Sequence, residues 1–212
     1  TRCLSDWSSD VCSSDLLVFA DMDEFYFPIE DRTMRDVLEA RKDWDCSAFG
    51  VYWCQFGSSG YIDDPELVLQ SYTHRGPLNL STNHHMKSIV KGRGRAGSVS
   101  GTNPHVFTTE HGTIDFVGRV IPPHCGHNAS VEPCHEVMRL NHYQCKSWEY
   151  FKTKKQARGS TADRPPEAPG AQIPDSVFHD YDHNEVFDDS IWQKYGKQLV
   201  PKIKEIKEQI GI

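Results

Sequence analysis

The run from Cys46 to Phe56 sets the tightest limit on the fold. An extended backbone sends successive side chains to opposite faces. Here Phe49, Val51 and Trp53 fall on one face and Tyr52, Cys54 and Phe56 on the other. Apolar groups on both faces predict a central strand, covered on each side, as in layered α/β proteins. Gly57-Ser58-Ser59-Gly60 then breaks the run, and a glycine-flanked turn can bring backbone amides close to a ligand.

A second apolar run, Leu16-Leu17-Val18-Phe19-Ala20, predicts a fully buried strand that ends abruptly in Asp21-Met22-Asp23-Glu24. Alternation along such a strand places Asp21 and Asp23 side by side. Two like charges so close call for a cation between them. Hard divalent ions take oxygen ligands, usually one or two carboxylates plus substrate phosphates. The end of a strand in an open α/β sheet is a common ligand position, so the pair predicts a metal-diphosphate site. The plainer alternative is that both Asp residues merely favour the following turn.

Composition narrows the classes. With 212 residues, 37% hydrophobic content and a net charge of −7, the chain suits one domain with a full core. Mean hydropathy is −0.60 and no apolar run approaches a membrane span. The acidic balance argues against a nucleic-acid footprint over the whole surface. Seven cysteines, Cys3, Cys12, Cys46, Cys54, Cys125, Cys134 and Cys145, are an odd set with strand-like positions among them. They fit a reducing compartment better than a disulfide framework, and the expected location is the cytoplasm or the periphery of the inner membrane.

Thr1 to Asp15 repeats Ser-Asp three times without helical or strand period. The string resembles a translated sequencing-adapter concatemer, so residues 1–15 are expected to be a non-native tail making few contacts. Natural sequence then starts near Leu16, within a strand. The expected organisation is this tail, a domain over 16–195 and a C-terminal helical segment over 196–212.

Along the domain, Thr33-Met34-Arg35-Asp36 reads as a capping box opening a helix. Leu67 to Tyr72 and His85 to Val90 predict short strands, and Asn103 to Phe107 more extended chain. Around them His74, Arg75, His84, Lys87, Lys91, Arg93 and Arg95 form a cationic cluster suited to phosphate, or simply a solvated face. Arg139 to Tyr143 predicts a strand, and Lys146 to Arg158 a helix whose inner face holds Trp148 and Phe151. Ser160 to Pro174 reads as a mobile loop. Ser190 to Ile212 predicts a last helix, broken or kinked at Pro201, with Ile203, Ile206 and Ile210 on one face.

His124-Cys125, His127, Cys134-His135 and His142 with Cys145 match no standard zinc spacing. His142 stands apart, at a strand end before a helix that opens with Lys146 and Ser147. An imidazole there can complete a metal shell begun by carboxylates, and a helix start favours anions.

Taken in order, these pieces resemble glycosyltransferase family 2 proteins of the subgroup related to family 92. The matching motifs are Phe19 to Phe25, Phe56 to Gly60, Met86 to Val90, Asn103-Pro104-His105, Asn141-His142-Tyr143 with Lys146-Ser147, Arg158-Gly159, and His179 to Val186. The resemblance implies a GT-A-like α/β fold with a Rossmann-like mixed sheet, of which this chain is the C-terminal portion without the first nucleotide-binding βαβ units. It implies inverting, metal-dependent transfer from a nucleotide-sugar donor to a glycan or lipid-linked acceptor hydroxyl in bacterial surface glycan synthesis. Asp21, Asp23 and His142 are the implied ligands of Mn²⁺ or Mg²⁺. Gly57, Ser58, Ser59, Lys87, His105, Lys146 and Ser147 are implied to bind donor or substrate. Asp182, then Glu185, are the implied base candidates, with Asp63 and Asp64 behind them.

Two other functions stay open on sequence. One is a metal-dependent phosphohydrolase or phosphotransferase with Asp21 as nucleophile, although Glu24-Phe25 follows where that chemistry usually wants a small or hydroxylated residue. The other is a non-catalytic fragment or binding module.

Overall fold

The computed structural model describes residues 16–29, 32–92, 99–100, 105, 107–122, 131–158 and 173–211. Residues 1–15 lie outside them, as do residues 160–172 of the predicted Ser160 to Pro174 loop and Arg93, Arg95, His124, Cys125 and His127. The chain divides into two compact units: residues 1–54 with 78–142, and residues 55–77 with 143–212.

The first unit is built on a mixed sheet of parallel and antiparallel strands. Its strands are β1 (Leu16–Val18), β2 (Glu24–Pro28), β3 (Ala48–Gln55), β5 (Met86–Lys91), β8 (Thr113–Ile114), β9 (Val120–Ile121) and β10 (Met138–His142); β4 (His74–Arg75) belongs to the second unit. The order is β1-β5-β3-β10-β2. β1 and β3 both run antiparallel to β5, β10 runs antiparallel to β2, and β8 joins β3 in parallel. Two short strands, β6 (Val99–Ser100) and β7 (Thr108–Thr109), form a separate antiparallel pair.

β3 is the central strand that its sequence predicts, and every residue in it is buried. Phe49, Val51 and Trp53 pack with Ile89, Met138, Leu140 and Val37, the last from helix α1 (Met34–Glu39). On the opposite face Tyr52 packs with Met86, Ile121 and Cys134. Gly50 admits this second layer closely, since a Cβ there would meet Ile121 Cδ1 at 2.4 Å. The capping box of α1 forms as expected, with Thr33 and Asp36 exchanging side-chain to backbone hydrogen bonds.

Two expectations fail in this unit. The Leu16 run forms only a three-residue, half-buried strand at one end of the order, not a fully buried one. The acidic motif lies on a β-turn rather than a strand end. The Glu24 amide donates to the Asp21 carbonyl at 3.0 Å, closing Asp21-Met22-Asp23-Glu24, and Glu24 then opens β2. Asp at turn positions is locally favoured, so the plainer reading of the pair holds for the backbone.

In the second unit, Leu67 to Tyr72 does not form the predicted strand. It holds a single helical turn, α2 (Val68–Ser71), because Leu67 alone stays extended as its N-cap. β4 pairs with β11 (Val186–Phe187). Helix α3 runs through Trp148–Tyr150, a wider π turn at Phe151–Lys155, and Gln156–Arg158. Its Trp148 and Phe151 pack with Cys145 and with Phe178 of α4 (Asp175–Tyr181), as the sequence spacing predicts. The last helix, α5 (Ser190–Ile210), is continuous through Pro201 and ends on left-handed Gly211. It crosses the expected boundary at residues 195 and 196 without a break. Ile206 and Ile210 are exposed on it. Among the described residues no helix is long and apolar enough to cross a membrane.

Candidate functional site

One face of the first unit's sheet changes character along its length. Residues paired across an antiparallel ladder share a face. Met138 and Leu140 of β10 lie in the core, and His142, two residues on, continues that face. Glu24 is the β2 partner of His142. Lys87 on β5 pairs with Val51, so it joins the face that carries Val51 and Trp53. Four adjacent strands thus bring Lys87, Trp53, His142 and Glu24 into one polar row at the end of an apolar layer.

The turn carries Asp21 and Asp23 to this row. Lys87 Nζ, 1% exposed, donates to Asp21 Oδ2 at 2.9 Å and lies 3.4 Å from Glu24 Oε2. Glu24 Oε2 also accepts the Asp21 amide at 2.9 Å. Burial pushes the Glu24 carboxyl above its usual range, against the pull of that amide and of Lys87. Its other oxygen, Oε1, is buried and accepts no hydrogen bond among the described residues. The Asp21 carboxylate is 66% exposed, so water screens its bond to Lys87, worth on the order of 1 kcal/mol.

Asp23 approaches the imidazole instead. Its Oδ1 lies 3.9 Å from His142 Nε2. The His142 ring sits 4.1 Å from the Trp53 ring, which also stacks on His85 at 4.7 Å and meets His105 edge-on at 5.7 Å. His105 Nδ1 is 2.9 Å from the Met86 carbonyl, which can only accept, so that nitrogen carries the proton. Burial first, then the Lys87 charge, lowers the His105 pKa. The ring therefore stays neutral near pH 7.

Asp21, Asp23, His142, Lys87 and His105, all named from sequence, meet here. Sequence reasoning missed Glu24 and Trp53 as members; Glu24 stands next to Asp23, and Trp53 follows Val51 on the inner face of β3. Among the described residues, no three His, Cys, Asp or Glu side chains gather closely enough to hold a metal ion on protein donors alone.

The second unit holds the remaining candidates, and it uses most of them as braces. The Ser58 amide donates to Asp182 Oδ1 at 2.6 Å, and the Ser59 amide to Asn184 Oδ1 at 2.7 Å. Asn184 Nδ2 in turn donates to Asp182 Oδ1 at 2.8 Å. The amides expected to face a ligand are therefore satisfied within the protein, and Asp182 is held as an acceptor rather than as an open base. Gly57 is required by this bracket, because a Cβ would lie 2.4 Å from the His183 carbonyl oxygen. Asn184 lies in the His179 to Val186 motif but is not among the candidate site residues named from sequence.

Ser147 caps α3 by accepting the Tyr150 amide at 3.0 Å and donates its hydroxyl to Asp64 Oδ1 at 2.9 Å. Asp64 Oδ1 also accepts the Tyr72 hydroxyl at 3.0 Å. Lys146 adopts a left-handed φ of 53° and lays its ammonium 4.2 Å from the Tyr150 ring centre. Glu185 remains open to solvent. Burial is the largest single influence and raises its pKa, but a 3.1 Å contact with His183 Nδ1 and backbone amides together outweigh it, so its pKa falls.

Two members of the predicted cationic cluster are committed to partners within their own units. Lys91 Nζ donates to the Trp44 carbonyl at 2.6 Å, and Arg75 Nε to Asp188 Oδ2 at 2.7 Å. Cys46, Cys54, Cys134 and Cys145 are buried and in no disulfide among the described residues. No protein-family model matches this chain, and no curated protein matches it either.

Proposed function

We propose that the Asp21-Asp23-His142 corner serves metal-assisted transfer of a sugar from a nucleoside-diphosphate donor to an acceptor hydroxyl, on a GT-A-like sheet. The observation that carries this reading is the 3.9 Å approach of Asp23 Oδ1 to His142 Nε2 on the turn that also bears Asp21. Ligands at about 2.1 Å from an octahedral ion stand about 3.0 Å apart when adjacent and about 4.2 Å when opposite, so Asp23 and His142 reach adjacent positions by closing about 1 Å. Mg²⁺ and Mn²⁺ complete such a partial shell with waters and substrate phosphates, so two or three protein donors of oxygen and imidazole type suffice. Asp23 and His142 would hold the ion, and Asp21, which Lys87 engages in this structure, would join them only by turning away from Lys87. Bound there, the ion would neutralise charge building on the leaving diphosphate.

The chain's own residues supply the rest of the setting. Trp53, packed among three imidazoles, fixes the His142 ring in place. Lys87 sets its side-chain nitrogen at the same corner, against Asp21 and Glu24. The order of motifs and the mixed sheet support the family resemblance; the donor is a nucleotide sugar and the acceptor a glycan or a lipid-linked saccharide.

The test is Mn²⁺ binding followed by electron paramagnetic resonance, with and without a panel of nucleoside diphosphates. Wild type is expected to bind the ion more tightly with a diphosphate present, and Asp23→Ala to lose that gain while staying folded. Equal binding by Asp23→Ala sinks the assignment. Phosphate release from a simple aryl phosphate, independent of any nucleotide sugar, would turn the reading toward Asp21-centred phosphohydrolysis.

A further inference from the structure

We propose that Lys87 is a resident counter-cation that occupies Asp21 in the metal-free protein and hands it over when a divalent ion arrives. The inference rests on the metal reading of the Asp21-Asp23-His142 corner and concerns how that corner is kept and filled. Two carboxylates on one tight turn, with Glu24 directly after them, concentrate negative charge that an empty site must neutralise. Lys87 does so from below. Its ammonium is almost fully buried, rooted on β5, and reaches both Asp21 and Glu24.

The two contacts are unequal in a way that suits exchange. Asp21 is mostly exposed, so its bond to Lys87 is screened and cheap to break. Glu24 is wholly buried and cannot leave, and its Oε1 still has acceptor capacity with no donor on it. When Asp21 swings to an incoming ion, the Lys87 ammonium keeps a buried carboxylate beside it. No uncompensated charge is then left behind, which is the usual cost of breaking a buried pair. Asp23 faces His142, with Oδ1 3.9 Å from Nε2. The corner thus has one carboxylate directed to the imidazole and one held in reserve.

The consequence is competition: Lys87 and the divalent ion share Asp21, so Lys87 weakens ion binding and keeps the vacant turn ordered. The charge-balanced variant Lys87→Met with Glu24→Gln tests this. It removes one positive and one negative charge, so the formal charge of the corner is unchanged and any gain reflects release of Asp21. Mn²⁺ titration by electron paramagnetic resonance should show a dissociation constant about fivefold lower than wild type. In wild type labelled with ¹⁵N-lysine, Mg²⁺ should shift the Lys87 ammonium resonance as it leaves Asp21.

Each outcome is decisive. Wild type that binds Mn²⁺ with the same affinity as the double variant, or more tightly, overturns the exchange and leaves the metal reading standing. Wild type and variant that both fail to bind, with or without a nucleoside diphosphate, overturn the metal reading and the exchange with it. Should the double variant not fold, an Mg²⁺ titration that leaves the wild-type Lys87 resonance unmoved while Mn²⁺ binds overturns the exchange alone.

Discussion

The Ser58 amide and the Asp182 carboxylate meet at 2.6 Å across 124 residues of sequence. Asp182 Oδ1 takes a second hydrogen bond from Asn184 Nδ2 at 2.8 Å, so one oxygen ties a loop and a chain segment together. Asp182→Ala leaves the buried Ser58 without its acceptor and should cost about 1–3 kcal/mol in unfolding free energy. Asp182→Asn keeps an acceptor oxygen and should cost clearly less. Urea unfolding distinguishes them; an Asp182→Ala protein as stable as wild type would mean the bracket carries no weight.

Gly57 and Gly60 flank the same loop and answer to different constraints. A Cβ at Gly57 runs into the His183 carbonyl at 2.4 Å and Asn184 Oδ1 at 2.5 Å, whereas Gly60 has open space and a φ of +80°. Gly57→Ala should therefore destabilise through overpacking, by about 1–3 kcal/mol. Gly60→Asn should be nearly neutral, because Asn tolerates left-handed backbone. Gly57→Asn, by contrast, should fail to give folded protein. The checks are urea midpoints and soluble yield, and a tolerated Gly57→Asn contradicts the geometry.

The contrast between β3 and the acidic turn shows what the sequence made legible. Phe49, Val51 and Trp53 against Tyr52 and Cys54 announce a covered central strand, because a period of two with both faces apolar has few other solutions. The Thr33-Asp36 capping box is equally local and equally visible. The Asp21-Asp23 pair is visible as chemistry, yet its backbone is not. Whether Asp21 ends a strand or opens a turn depends on the Glu24 amide reaching back to the Asp21 carbonyl, which alternation does not encode. Leu67 to Tyr72 fails for the related reason that so short an apolar stretch suits one helical turn as well as a strand. Long-range partners are the least legible. Nothing in Ser58 or Ser59 points to Asp182 and Asn184, so the loop reads from sequence as a ligand cradle while its amides are already used.

His105 gives the protein a signed response to acid. Burial and the neighbouring Lys87 charge lower its folded pKa below the ordinary 6.5, while in the unfolded chain it titrates normally. As pH falls below that ordinary value, the unfolded state binds a proton that the folded state refuses, so stability drops. It recovers as pH rises through the same window. Urea midpoints at pH 7.5 and pH 5.5 should differ in wild type, and the difference should shrink in His105→Gln. An undiminished difference would show that other histidines govern the response.

Arg75 and Asp188 provide the last test, within the second unit. Arg75 Nε donates to Asp188 Oδ2 at 2.7 Å with both side chains largely buried, 13% and 9% exposed. Asp188 also takes the Ser190 amide at 3.2 Å, so the carboxylate that neutralises Arg75 also fastens the start of α5. Arg75→Met strands Asp188 without its cation and should cost on the order of 3 kcal/mol. Asp188→Asn loses the charge but retains an acceptor for Ser190, and strands the guanidinium instead. Because each single change leaves the other partner buried and charged, the double variant should be less destabilised than the two singles together, with a coupling of about 1–3 kcal/mol. Strict additivity in a urea double-mutant cycle would mean that water reaches the pair and screens it, leaving Asp188 with only its hydrogen-bonding role at the start of α5.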